Sequence, residues 1–181
     1  MSTKKNPRSK FYELLQQQVQ NEFNAEHQYL ALGVWFDSED LPQLAKRFYH
    51  QSVEERNHAL AIVQYLLDTD HHVEIPGVSE VRNDFSGPIE LIQLALDQEK
   101  GVAHDIEALA KAARNEDDYT GGQFMQWFLA EQVEEIAQMS TLLTIAKRAN
   151  GNFFEVERFL DRAATEAKKD SPMPRVAGGA L

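Results

Sequence analysis

The chain has 181 residues, of which 43% are hydrophobic and 26% charged, with a net charge of -11 and no cysteine. That length suits one domain with a buried core, and the lack of cysteine excludes disulfides, thiolate zinc sites, iron–sulfur clusters and cysteine nucleophiles. The negative charge disfavours nucleic acid and anionic lipid and concentrates cations. No apolar run reaches the ~18 residues of a membrane span, and the basic start MSTKKNPRSK is not followed by a secretory apolar stretch. The expectation is therefore a cytoplasmic protein with no nucleic-acid and no membrane partner.

Helical periodicity runs over residues 9–37, 42–70, 88–115 and 119–149, with a shorter fifth stretch at 153–167, and no strand pattern is present. The breaks read as helix ends: Asp40-Leu41-Pro42, Ser86-Gly87-Pro88, Asn115 to Asp118, and Asn150-Gly151-Asn152. The connection from His71 to Gly87 is far longer than the others, so helices two and three are expected to run parallel through a crossover. The fifth helix carries Phe154, Val156, Phe159 and Leu160, an apolar face expected to pack on neighbouring subunits. The last residues, 168–181, read as flexible or as ordered by such a neighbour. The predicted architecture is all-α: a single domain over 1–181, an antiparallel four-helix bundle with a long crossover, and a short fifth helix.

Residues seven apart share a helix face, and each bundle helix has one apolar row interrupted by one polar group. The rows are Leu15-Glu22-Tyr29-Phe36, Phe48-Glu55-Ile62, Ile92-Glu99-Ile106 and Met125-Gln132-Met139. A single such residue is usually a boundary position. Four are different, because Glu22 and Glu55 straddle the first turn symmetrically, as Glu99 and Gln132 straddle the third. Both pairs are thirty-three residues apart, and a shift of seventy-seven residues carries Glu22 to Glu99, Glu54 to Glu131, Glu55 to Gln132 and His58 to Glu135. Four polar groups converging in a core cost several kcal/mol each unless something compensates them. Glu55 and His58 stand at i and i+3, the spacing by which a carboxylate bridges two metals while an imidazole binds one of them. Glu-x-x-His alone is weak; with glutamates on two other helices it is specific. An oxygen-rich set with one histidine favours iron or manganese over structural zinc.

Asn21-Glu22-Phe23 with Tyr29-Leu30, Glu54-Glu55-Arg56-Asn57-His58, Asp97-Gln98-Glu99, and Gln126-Trp127-Phe128 leading into Glu131-Gln132-Val133-Glu134-Glu135 resemble the bacterial non-haem ferritins. The resemblance implies iron storage with ferroxidase activity. It places Glu22, Glu55 and His58 around one iron, Glu99, Gln132 and the bridging Glu55 around the other, and Tyr29 beside them. It also implies dioxygen as oxidant, a hollow shell of twenty-four identical subunits filled with ferric mineral, and a third iron position at Glu54, Glu131, Glu134 and Glu135. Haem-binding relatives carry a second Glu-x-x-His and a methionine after the bridging glutamate; Gln132, Glu135 and Arg56 stand there instead, so no haem is expected. An oxygen-activating di-iron enzyme would show the second motif, and an inert bundle would lack the ligand set.

Overall fold

The computed structural model of the chain describes residues 9–166 and 173–180. Helices α1 (Lys10–Ser38), α2 (Pro42–Asp68), α3 (Pro88–Asn115), α4 (Tyr119–Arg148) and α5 (Phe153–Glu166) fall within two residues of the predicted bounds, and the described residues contain no strand. None of the helices is long and apolar enough to cross a membrane.

Each bundle helix stops on a residue in the left-handed region: Asp40, Asp70, Asp117 and Asn150, with φ between 48° and 58°. Aspartate and asparagine tolerate this conformation better than other non-glycine residues. The amides of Leu41, His71 and Asp118 then reach back to the carbonyls of Phe36, Leu66 and Ala113 at 3.0, 2.9 and 2.9 Å. That closes the last turn and satisfies carbonyls the helix leaves open. Carboxylates from other elements serve the N-termini. Glu116, just past α3, accepts from the amides of Lys10 and Phe11 at 2.7 and 3.2 Å. Glu157 of α5 accepts from those of Gln43 and Leu44 at 2.8 and 2.9 Å. The cap position of α2 is Leu41, which offers no side-chain acceptor, so α5 supplies the negative charge that the helix dipole favours there.

Part of the apolar face of α5 is covered within its own chain. Val156 is fully buried within its own chain and Phe153 and Leu160 pack against the same core, while Phe154 stays exposed. The tail segment 173–180, expected to be flexible or ordered by a neighbouring subunit, lies along α2 of its own chain. The Ala177 amide donates to the Leu60 carbonyl at 3.1 Å, and Val176 packs against the core. The start of that tail, 168–172, lies outside the described residues.

Two apolar clusters fill the bundle. One gathers Tyr29, Phe36, Phe48, Ile92 and Met139; the other gathers Phe11, Leu15, Ile62, Ile106 and Phe128. Between them lies a buried polar layer. The crossover after α2 is pinned by one row of amide side chains at four-residue spacing on α1. Gln16 exchanges hydrogen bonds with Glu74, Gln20 donates to the Gly77 carbonyl, Asn24 accepts from the Ser79 amide, and Gln28 exchanges hydrogen bonds with Arg82. These bonds satisfy the backbone of an irregular segment that has no ladder of its own. They also carry the chain the length of the bundle, so that α3 starts parallel to α2.

At one end α4 meets α1 so closely that a Cβ on Gly121 would lie 2.3 Å from the Phe11 ring and 2.8 Å from Asp118 Oδ2. Phe11 is wholly buried and has no free space to retreat into. Gly121→Ala is expected to lower stability by ~1–3 kcal/mol through overpacking, read as a lower denaturant midpoint with unchanged slope; an unshifted midpoint contradicts this packing.

Candidate metal centre

The polar layer holds one group from each bundle helix and two more besides. Glu22 comes from α1, Glu55 and His58 from α2, Glu99 from α3, and Gln132 with Glu135 from α4. None is more than 5% exposed. Two triads, Glu22-Glu55-His58 and Glu55-Glu99-Glu135, each bring their ligand atoms within 4.8 Å of one another. Glu55 belongs to both, which is the position a bridge requires. His58 Nδ1 lies 3.6 Å from Glu55 Oε2 and 3.9 Å from Glu22 Oε2, and the Trp127 and Phe128 rings hold the imidazole edge-on.

Each side chain is held by one atom and presents the other. Gln18 donates to Glu22 Oε1 at 2.8 Å and Gln51 to Glu55 Oε1 at 2.9 Å. The Tyr29 hydroxyl donates to Glu99 Oε1, and the Gln132 amide nitrogen donates to Glu135 Oε2. Left over are Glu22 Oε2, Glu55 Oε2, Glu99 Oε2 and Gln132 Oε1, all buried and all without a hydrogen-bond partner. An orphaned buried acceptor costs ~1–3 kcal/mol, more when charged. Four of them converging in one layer form a cation site in all but the cation.

The electrostatics agree. Burial first, and the Glu55 charge second, push the carboxyls of Glu22 and Glu135 well above their usual range and raise Glu99 to about 7. Burial also opposes the charged forms of Glu55 and His58, but their close mutual attraction wins. Glu55 is therefore lowered and His58 raised. Burial and then Glu99 push the Tyr29 hydroxyl up, so it remains a donor. Without cations, burial therefore favours the neutral forms of Glu22, Glu99 and Glu135.

The structure brings Glu22, Tyr29, Glu55, His58, Glu99 and Gln132 together as the sequence predicts. Of the four residues expected at a third position, two come together with His58. Glu135 sits inside the central layer, and Glu131, half-buried, joins it and His58 in a further triad. Glu54 lies 3.4 Å from His50 instead, and Glu134 is exposed on the far side of the turn. Gln18 and Gln51 went unpredicted. They are the residues four before Glu22 and Glu55, repeat the same thirty-three-residue interval, and could have been found from it. Arg56 points outward and pairs with Glu26 at 3.3 Å.

A crossover bundle with this carboxylate and imidazole layer between its cores defines a ferritin-like protein. The chain belongs to the ferritin family: residues 12–149 match its ferritin-like domain, and the protein serves iron storage. It is 54% identical, over 181 residues and the whole of both chains, to ferritin BfrB of Mycobacterium tuberculosis. It is 36% identical to the bacterial non-heme ferritin of Staphylococcus aureus, over 75% of this chain and 82% of that one. Among solved structures, an open pore ferritin from the hyperthermophilic archaeon Archaeoglobus fulgidus superposes with a TM-score of 0.81 at 25% identity, covering 83% of this chain and 94% of that one.

Proposed function

We propose that the polar layer is a ferroxidase centre. One ferrous ion is held by Glu22, Glu55 and His58, and a second by Glu55, Glu99 and Gln132, with Glu135 in reserve and Tyr29 fixing Glu99. The observation that carries this reading is the set of four unpartnered buried oxygens, one from each bundle helix. Two bound ferrous ions supply two electrons to dioxygen, and the chain's part is to hold both with carboxylates whose burial favours their neutral forms until a cation binds. Carboxylates suit this work because they change binding mode readily, letting ferric product leave. The whole chain, 1–181, acts as one ferritin-like domain, assembled as a shell of twenty-four subunits in the cytoplasm. An aerobic iron(II) oxidation assay run with a size measurement tests it: rapid oxidation by a large assembly is expected, and slow oxidation no faster than buffer overturns the centre.

Haem has no part in this reading, because Arg56 and Gln132 occupy the places where haem-binding relatives carry methionine and glutamate. Reconstitution with haem is expected to leave no stoichiometric Soret band, and a stable one sinks the claim.

The third position now rests on Glu131 with His58 and Glu135, and Glu54 would have to leave His50 to join it. Glu54→Gln with Glu131→Gln is expected to leave the first two-iron oxidation largely intact while changing the iron-to-oxygen ratio. Wild-type stoichiometry and turnover in that double variant remove the third position.

A further inference from the structure

Every side chain of the centre is at most 5% exposed, so an ion reaches it only through a gap in the bundle. On the α1–α3 face, a pocket of about 60 Å³ is walled by Gln17, Gln18, Asn21, Asp105 and Ala108. A single water needs ~10–15 Å³ measured this way, so the pocket accepts a cation with part of its hydration shell. Its polar wall is a continuous hydrogen-bonded line into the core. Asn21 Nδ2 donates to Asp105 Oδ2 at 3.1 Å and to Gln18 Oε1 at 3.0 Å, and Gln18 Nε2 donates to Glu22 Oε1 at 2.8 Å. Beyond it, Glu22 Oε2 has no donor at all. Among the described residues, no ion pair involves Asp105, so no neighbouring side chain neutralises its carboxylate. From solvent inward the oxygens on this wall are the Asp105 carboxylate, the Gln18 carbonyl and then Glu22, with the Asn21 and Gln18 amide groups between them and Leu14 and Leu109 completing the lining. Hard oxygen donors of this kind exchange with the waters of a divalent cation.

We propose that this pocket is the capture site for the divalent cation, with Asp105 attracting the hydrated ion and Gln18 handing it to Glu22. The transfer breaks no covalent bond; waters leave as protein oxygens replace them. Gln18 turns from holding Glu22 to admitting its cargo, and this explains why a buried amide rather than an apolar side chain separates pocket from centre. On the opposite face, between α2 and α4, the triad of His58, Glu131 and Glu135 gives the ion a second contact with half-buried oxygen. The centre is thereby a passage with Asp105 at one end and Glu131 at the other.

The inference rests on the ferroxidase centre proposed above, and loading with cobalt(II) separates the two. The whole assembled protein is mixed anaerobically with cobalt(II) chloride at low salt, and the ligand-field absorbance is followed in time. Wild type is expected to take up two ions per subunit, and Glu55→Ala to lose the band. Asp105→Lys is expected to load about tenfold more slowly, because a carboxylate at the mouth of a cleft raises the on-rate by at least that factor, yet to reach the same end point. The deficit should shrink in about 0.5 M salt. Ala108 is exposed, so Ala108→Trp narrows the mouth without touching the core and should slow loading at any salt. Glu107→Lys changes the charge equally, away from the pocket, and should stay within about twofold of wild type. Wild-type loading rates in both Asp105→Lys and Ala108→Trp overturn the pocket while leaving the centre standing. Should Asp105→Lys fail to fold, Ala108→Trp decides alone. A wild-type protein that takes up no cobalt, or a Glu55→Ala variant that keeps the full band, overturns the centre and the pocket together.

Discussion

Glu55→Ala and His58→Ala are each expected to abolish the rapid phase of iron(II) oxidation, a loss of more than ~100-fold, since even residues that only orient metal ligands are worth 10–100-fold. Glu55 is the one carboxylate common to both triads, so its removal unties both ions at once. Among the described residues, His58 supplies the only ring nitrogen in the set and the only basic partner of Glu22 and Glu55. Both variants should nevertheless stay folded and assembled, because the bundle is held by two apolar clusters above and below the polar layer, of which Phe128 meets the His58 ring only edge-on. Retained helical circular dichroism and particle size, with oxidation reduced to the slow background, is the expected pattern. Oxidation kinetics unchanged in both variants would remove the centre.

The helices were readable because their apolar rows recur at helical spacing for four turns or more, and tertiary packing here only reinforces that local preference. The centre was readable for a related reason, since a glutamate inside such a row conflicts with its surroundings unless it has work to do. Glu135 was assigned to the third position alone, although the seventy-seven-residue shift had already paired it with His58 of the central layer. It stands three after Gln132 as His58 stands three after Glu55, and that spacing fixes its face better than its neighbour Glu134 does. Other features left no periodic trace. The amide row Gln16-Gln20-Asn24-Gln28 looks like an ordinary solvated face until an irregular crossover is laid against it. Glu157 is one more surface acid until α5 swings it onto the start of α2. Both depend on where an irregular segment travels, which no helical pattern encodes.

Glu99→Gln is expected to make the metal-free protein more stable, by about 4 kcal/mol at pH 8. Burial, and then the Glu55 charge, raise the Glu99 carboxyl to about 7, against an unfolded value near ~4.3. A carboxyl with a raised folded value holds its proton longer in the folded state. Below about pH 4 both states are protonated and Glu99 has no effect. As pH rises from there to about 7, only the unfolded state gives up the proton, and folding loses about 1.4 kcal/mol per unit. Above about pH 7 the loss is complete and constant. Glutamine keeps the shape of the side chain and an oxygen for the Tyr29 hydroxyl, but never has to carry a buried charge. The advantage of the variant should therefore fade as pH falls, to within about 1 kcal/mol near pH 5. For a chain of this length the pH 8 difference corresponds to a rise of roughly 8–16 °C in the unfolding midpoint. Saturating cobalt(II) should reverse the order, because the carboxylate that weakens the empty protein is the one that grips the ion, and a ligand bound only by the folded state adds stability in proportion to its grip. A variant less stable than wild type at pH 8, or one whose difference from wild type ignores pH, would show that Glu99 is a structural hydrogen-bond acceptor and not a ligand held in waiting.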